Sequence, residues 1–282
     1  MLIARYQQDG TEACGVVDVE AGVVCELAGA TFEAWLTDET ARRSEHSVEH
    51  PLDRVELLPP MGRNAKIFCV GFNYLTHSAE MDRAVPEQPT LFIRHPDSVT
   101  GPDRPIWRPA ESHELDWEGE VAIVVGATAR RVPAMNAHAY IAGYTAFADN
   151  SIRDWQFAST QATAGKNWLN SGSCGPWMRT LDGVTLNDLQ LDVRLNDQQV
   201  QSDSTANLHY DCAALLAYVS TFTVLRPGDV IATGTPSGIG YRQEPPRFLR
   251  PGDRLEVTVS GLNGTLSNHV QDEPIAAMVG NA

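Results

Sequence analysis

Apolar residues in this chain gather into short runs broken by Gly, Pro, Asp and Asn, a pattern typical of strands joined by turns. Such runs occupy positions 66–71, 90–93, 121–125, 191–195, 230–233 and 254–259. Positions 1–6, together with the alternating apolar residues of 15–27, predict a further β segment near the N-terminus. The stretch 140–146 reads as one more strand, running into a polar loop. Helical periodicity is brief, with candidates at 31–43, 74–82, 134–137 and 211–221. Many strands and few short helices, without regular alternation of the two, imply a β-rich α+β fold. A change of pattern after Pro59-Pro60 divides the chain into a small N-terminal domain, 1–60, and a main domain, 61–282. No internal repeat or low-complexity tract interrupts either part.

Composition narrows the function more than the fold. With 282 residues, 43% of them hydrophobic, the chain buries a substantial core without covalent staples. Its five cysteines, Cys14, Cys25, Cys69, Cys174 and Cys212, are odd in number and scattered, and no CxxC pair occurs. That usage fits a reducing, cytoplasmic setting and argues against a thiolate zinc site. The opening MLIARYQQDG turns polar within a few residues, and no apolar run of about 18 residues follows, so neither a signal peptide nor a membrane span is expected. A formal net charge of −15 and a pI near 4.8 repel a nucleic-acid backbone. An acidic protein that handles acidic metabolites needs local positive charge, from a divalent cation or a few placed Lys and Arg.

Acidic residues concentrate where such a cation would bind. In Asp116-Trp117-Glu118-Gly119-Glu120, just before the apolar run 121–125, the two-residue period of a strand puts Glu118 and Glu120 on one face. A bare ExE is most often a solvated strand face, but two adjacent carboxylates also suit a hard divalent ion between them. A second cluster, Asp149-Asn150-Ser151-Ile152-Arg153-Asp154, follows the stretch 140–146 and offers a third oxygen ligand. Three carboxylates favour Mg²⁺ or Mn²⁺ over zinc.

Several segments, in matching order from about Lys66 to the C-terminus, resemble the fumarylacetoacetate hydrolase family. They are Val70-Gly71-Phe72-Asn73-Tyr74 with His77 and Glu80, the 116–120 stretch, the 149–156 stretch, Gly165-Lys166-Asn167 with Gly175-Pro176-Trp177, and Pro227-Gly228-Asp229 running on to Thr233-Gly234-Thr235-Pro236-Ser237-Gly238. The resemblance implies a metal held by Glu118, Glu120 and Asp149, with His77 as base, Glu80 as its orienting partner on a lid, and Lys166 as the cation beside a forming enolate. It implies substrate contacts from Arg153, Gln156 and Thr235, although Arg153 also suits a structural ion pair with a nearby acid such as Asp154. The loop 233–240 lacks the Gly-Lys-Ser/Thr ending of a phosphate cradle.

Two departures from the family pattern stand out. Leu169 occupies a position that is acidic in many relatives, and with Trp155, Trp168 and Trp177 it is expected to tune which acyl group fits. Asn196-Asp197 replaces Asn-Gly, and either dipeptide closes a hairpin. The implied reaction is hydrolysis of the C3–C4 bond of a small 2,4-dioxo acid of the acylpyruvate type by a homodimer. The alternatives are oxaloacetate decarboxylation, 2-hydroxydienoate isomerisation through the same enolate, and a non-catalytic metabolite-binding protein. A positioned base argues against the last.

Overall fold

The structure, a computed structural model, describes residues 1–42 and 46–274. Strands dominate it, as the sequence pattern predicts. One large sheet runs, edge to edge, through His46–Pro51, Val23–Leu27, Thr11–Asp18, Leu2–Gln8, Gly172–Thr180, Ile141–Ala148, Gly119–Val125, Val230–Ala232, Ile67–Gly71 and Thr90–Arg94. A second sheet orders Gln198–Ser204, Gln190–Leu195, Arg254–Val259, Thr265–Asp272 and Ile106–Arg108. Residues 1–60 share the large sheet with the rest of the chain, because Leu2–Gln8 pairs antiparallel with Gly172–Thr180.

Every residue of Gly119–Val125 is buried, which explains why this strand reads as a continuous apolar run. Its two faces serve different layers. Val121, Ile123 and Val125 join Val193, Leu195, Leu255, Val257 and Leu266 in the core between the sheets. Ala122 faces the other way, with Cys69, Phe147, Cys174 and Ala232. Val124 turns to that same side, under the short helix Phe32–Thr37, where Phe32, Trp35 and Leu36 cover the N-terminal strands.

Several boundaries differ from the sequence expectation for identifiable reasons. The alternating stretch 15–27 is two strands, because a turn around Gly22, at φ +69°, folds the chain back on itself. The helix expected over 31–43 is broken at Asp38, whose extended backbone separates Phe32–Thr37 from Glu39–Arg42; Arg43 lies outside the described residues, as do 275–282 of the main domain. The stretch 134–137 is a 3-10 helix, Ala134–Tyr140. Cys212–Phe222 is a regular α-helix whose Asp211 carboxylate accepts the Ala214 N–H at 2.8 Å. Asn196 and Asp197 both take positive φ, 52° and 66°, and close the hairpin.

Candidate active site

The register of two central strands assembles the acidic cluster. Gly119 pairs with Ala148 and Glu120 with Phe147, and one step further on the Asp149 N–H donates to the Glu118 carbonyl at 2.8 Å. Asp149 shares the side of Phe147, and Glu118 and Glu120 the side of Ala122, so three carboxylates from two strands converge. One oxygen from each lies within 4.8 Å of the others, and all three residues are buried.

Cations surround this cluster. Lys166 Nζ donates to Glu118 Oε2 at 2.7 Å, Asp149 Oδ2 at 2.8 Å and the Asp149 carbonyl at 2.6 Å, and sits 5.0 Å over the Phe92 ring. Gly165 makes this approach possible, since a Cβ there would lie 2.4 Å from that of Gln156, where the turn carrying Lys166 packs on Arg153–Phe157. Arg94 donates to Asp149 Oδ1 at 2.8 Å, and its other donors go to Ser98, Asn150 and Ser171. Arg153 spans Asp116, 2.8 Å from Nε, and Glu118, 2.7 Å from Nη1. It is therefore a partner of these two acids, while Asp154 instead accepts a hydrogen bond from Ser112.

Charge is unevenly compensated within the cluster. Burial alone would raise the Glu118 pKa, but Lys166, Arg153 and His77 overcome this and pull it down to about 2. Lys166 loses some basicity to burial and regains more from Asp149 and Glu118, so it stays charged. Glu120 has no cationic partner among the described residues; its side chain accepts one hydrogen bond, from the Gly234 N–H at 2.8 Å. Burial and the neighbouring Asp149 and Glu118 charges push its pKa well up. Asp116, Glu118, Glu120 and Asp149 thus share three buried permanent cations, Arg94, Arg153 and Lys166. An all-oxygen donor set with one uncompensated buried carboxylate fits a hard divalent cation.

The other half of the site is the segment 72–83. Phe72 adopts φ +58°, a strained conformation for an aromatic residue, and its ring stacks on His77 at 5.8 Å with 13° between planes. The Asn73 side chain fixes the segment's base by donating to the Thr233 and Tyr210 carbonyls. On the short helix Leu75–Glu80, His77 Nδ1 lies 3.2 Å from Glu80 Oε2, as their spacing of three predicts. The other Glu80 oxygen accepts the Gly238 N–H at 2.8 Å. Gly238 itself, at φ +105°, leaves no room for a side chain, since a Cβ would lie 2.1 Å from the Val200 carbonyl.

A cavity of about 380 Å³ joins the two halves, lined by His77, Glu118, Glu120, Arg153, Gln156, Lys166 and Thr235 among others. Glu80 and Asp149 stand immediately behind this lining. Gln156 accepts from Arg153 at 2.8 Å. The Thr235 hydroxyl is already occupied, donating to the Gly119 carbonyl and accepting from Gln201.

The expectation for Leu169 and the tryptophans is corrected, because none of the four lines the cavity. Leu169 is exposed, Trp155 packs edge-on against Trp168, and Trp177 is core, donating to the Leu262 carbonyl. The apolar lining is instead Val70, Phe72, Met81, Leu91, Phe92 and Phe157. Sequence reasoning also passed over Arg94, although its strand parity with Phe92 was the available signal.

Fold and site together define a β-rich scaffold that presents a buried three-carboxylate centre beside a His–Glu pair. The family description Fumarylacetoacetate (FAA) hydrolase C-terminal matches residues 66–271, and Rv2993c-like, N-terminal matches 1–60. The chain belongs to the fumarylacetoacetate hydrolase family. It is 36% identical to the oxaloacetate tautomerase fahd2, mitochondrial, of Xenopus laevis over 82% of this chain and 74% of that one. Among solved structures it resembles 5-carboxymethyl-2-hydroxymuconate delta-isomerase from Mycobacterium smegmatis, with TM-score 0.83 and 31% identity over 97% of this chain and 100% of that one. It also resembles the fumarylacetoacetate hydrolase of Exiguobacterium antarcticum, with TM-score 0.83 and 34% identity over the same shares. Relatives so named are enzymes, namely a tautomerase, an isomerase and a hydrolase. No helix among the described residues is long and apolar enough to cross a membrane.

Proposed function

We propose that the protein hydrolyses the C3–C4 bond of a small 2,4-dioxo acid of the acylpyruvate type, using Mg²⁺ or Mn²⁺ held by Glu118, Glu120 and Asp149. The observation that carries this reading is the meeting, around one cavity, of an undercompensated carboxylate triad and a histidine oriented by a backbone-fixed carboxylate. When bound, the cation supplies Lewis acidity and a point of chelation for the carboxylate and 2-oxo oxygen. Gln156 and the Thr235 backbone N–H help seat the substrate carboxylate, and Arg153 holds Glu118 in place for this work.

His77 takes a proton from a water molecule while Glu80 stabilises the imidazolium. The water oxygen bonds to C4, the C3–C4 bond breaks, and its electron pair passes into a pyruvate enolate whose negative charge faces the Lys166 ammonium. His77 returns its proton to C3. Pyruvate and a carboxylic acid leave, with every atom of water accounted for. The enzyme works as a cytoplasmic homodimer on this small molecule, with neither nucleic acid nor membrane as partner.

A second reading draws on the tautomerase relative. Moving a proton between C3 and the 2-oxo oxygen of oxaloacetate needs stabilisation of the oxaloacetate enolate but no attacking water, while oxaloacetate decarboxylation releases CO₂ and leaves the pyruvate enolate, to be protonated at C3. Incubation of the pure protein with Mg²⁺, a panel of acylpyruvates and oxaloacetate, followed by NMR, separates these outcomes. Pyruvate with the matching carboxylic acid is expected from at least one acylpyruvate. Enol–keto exchange or CO₂ release from oxaloacetate, with every acylpyruvate left intact, would replace hydrolysis by the second reading.

A further inference from the structure

Glu118, Glu120 and Lys166 make the floor of the cavity, and the segment 72–83 makes its rim. The strand that carries the two glutamates loses a neighbour just where they stand. Gly119–Val125 pairs with Val230–Ala232 over 122–124, so the peptide groups of 119–121 on that edge have no strand beside them among the described residues. Side chains and a loop replace the missing ladder. Thr233 donates its N–H and its hydroxyl to the Val121 carbonyl, at 2.9 and 2.8 Å. The Thr235 hydroxyl donates to the Gly119 carbonyl at 2.9 Å, and the Gly119 N–H donates to Gln201 Oε1 at 3.0 Å. Gln201 Nε2 closes the ring, donating to the Thr235 hydroxyl and to the Pro236 carbonyl, both at 2.8 Å.

Gln201 has no task in the chemistry above, yet it is 2% exposed and reaches the site from Gln198–Ser204 in the second sheet. It fastens three stretches at one point: the ligand strand, the loop 233–236 and the other layer. The residue it holds is the one that most needs holding. A Cβ at position 119 would lie 2.2 Å from a Val193 methyl, so the packing demands glycine between Glu118 and Glu120. Glycine is also the residue whose backbone is freest to move. Gln201 and Thr235 remove that freedom by engaging its N–H and its carbonyl. A neutral amide suits this place, because one N–H must be accepted and two oxygens must receive donors. A carboxylate would have no proton for the Pro236 carbonyl, and an apolar side chain would leave the Gly119 N–H buried and unmet.

We propose that Gln201 is a positioning residue: acting with Thr235 on Gly119, it fixes Glu118 and Glu120 relative to each other and so sets the affinity of the carboxylate triad for its divalent cation. Because Gln201 Nε2 donates to the Thr235 oxygen, the Thr235 proton is directed to the Gly119 carbonyl, and the two side chains work as one clamp. The inference rests on the reading of Glu118, Glu120 and Asp149 as metal ligands, and not on which reaction follows.

Titration of the full chain with Mn²⁺, followed by loss of the free-ion EPR signal, tests this without any substrate. Gln201→Met, similar in length but unable to make these hydrogen bonds, is expected to bind Mn²⁺ about 10- to 100-fold more weakly than wild type, the usual cost of losing a group that orients a ligand. Thr235→Val frees the same glycine from its other side and should weaken binding comparably. The double variant should lose little more than either single one, as expected of one clamp. Thr235→Ser, which keeps the hydroxyl, retains wild-type affinity. Should Gln201→Met fail to fold by circular dichroism, the contrast between Thr235→Val and Thr235→Ser decides. Unchanged Mn²⁺ affinity in folded Gln201→Met, even with a lowered urea midpoint, would make the residue merely structural and overturn the assignment. A wild type that does not bind Mn²⁺ would remove the triad as a metal centre and the inference with it. Weakened binding in the variants of an enzyme inert towards every acylpyruvate would sink the proposed hydrolysis and leave the role of Gln201 standing.

Discussion

The floor and the rim of the cavity are built in different ways. Floor residues stand on or beside central strands, buried on both sides, and each carboxylate except Glu120 is held by at least one buried cation. The rim carries a six-residue helix between two positive-φ residues, Phe72 and Asp82, outside the sheets, with Asn73, Tyr74, His77 and Ser78 buried against the rest of the molecule and polar contacts such as Asn73–Thr233 and Glu80–Gly238. Charge is thus placed by the central strands, whereas proton transfer is assigned to a short helix between two turns, outside the sheets. Substrate chelation needs the first property, and admission and closure need the second.

Substitution at the floor gives the largest expected effect. Glu118→Ala removes a proposed ligand and one carboxylate partner each of Lys166, which keeps Asp149, and Arg153, which keeps Asp116, so activity falls by about 10³-fold and stability by about 3 kcal/mol. Pyruvate release and the urea midpoint read these two losses, and a stable but inactive variant would show that the floor contributes less to the fold than its ion pairs indicate. At the rim the two effects separate. His77→Ala lowers kcat by about 10²- to 10⁴-fold with little change in melting temperature, while Glu80→Gln loses less because its amide oxygen still accepts the Gly238 N–H. A large melting shift in His77→Ala would erase the contrast between floor and rim.

The smallest effect is acid sensitivity outside both regions. The hydrogen bond from Arg5 is the main cause that lowers the Glu12 pKa; burial opposes it, and the Arg5 and Arg63 charges reinforce it. A depressed pKa in the folded state means that this pair stabilises the protein fully above the usual carboxylate range, near pH 4.5, and less as pH falls below it. Glu12→Gln should flatten the urea midpoint against pH in that acid range and leave kcat unchanged. A profile that matches wild type would remove Glu12 as a source of acid lability.

How much was legible beforehand follows the same division. Glu118, Glu120 and Asp149 could be singled out because strand parity is a short-range rule and the acids stand out against apolar neighbours. Lys166 and Arg153 came only with the family resemblance, and the ion pairs themselves, such as Arg94 with Asp149 and Arg153 with Asp116, join residues across sequence separations that periodicity does not encode. Trp155, Trp168, Trp177 and Leu169 misled for a related reason. Closeness in sequence to Lys166 says nothing about which side of a turn a ring occupies, and the cavity took its apolar lining mainly from 70–72, 81 and 91–92, with Phe157 and Ala162 from the neighbourhood of Lys166. The stretch 15–27 shows the limit of alternation, since two antiparallel strands can carry one continuous pattern across the turn between them.

The pairing of Leu2 with Arg179 has a consequence for how the chain is made. A ribosome delivers the N-terminal strands long before residues 172–180 exist, and at about 5–20 residues per second the delay is on the order of ten seconds or more. Throughout that interval Glu56–Leu58 can already cover Arg5–Gln7, while Leu2 and Ile3 wait for Arg179 and Met178, and a nascent polypeptide with such an open margin is a natural client for chaperones. Completion of the sheet, and with it the layer that carries the carboxylates, is therefore a late event in the birth of the molecule.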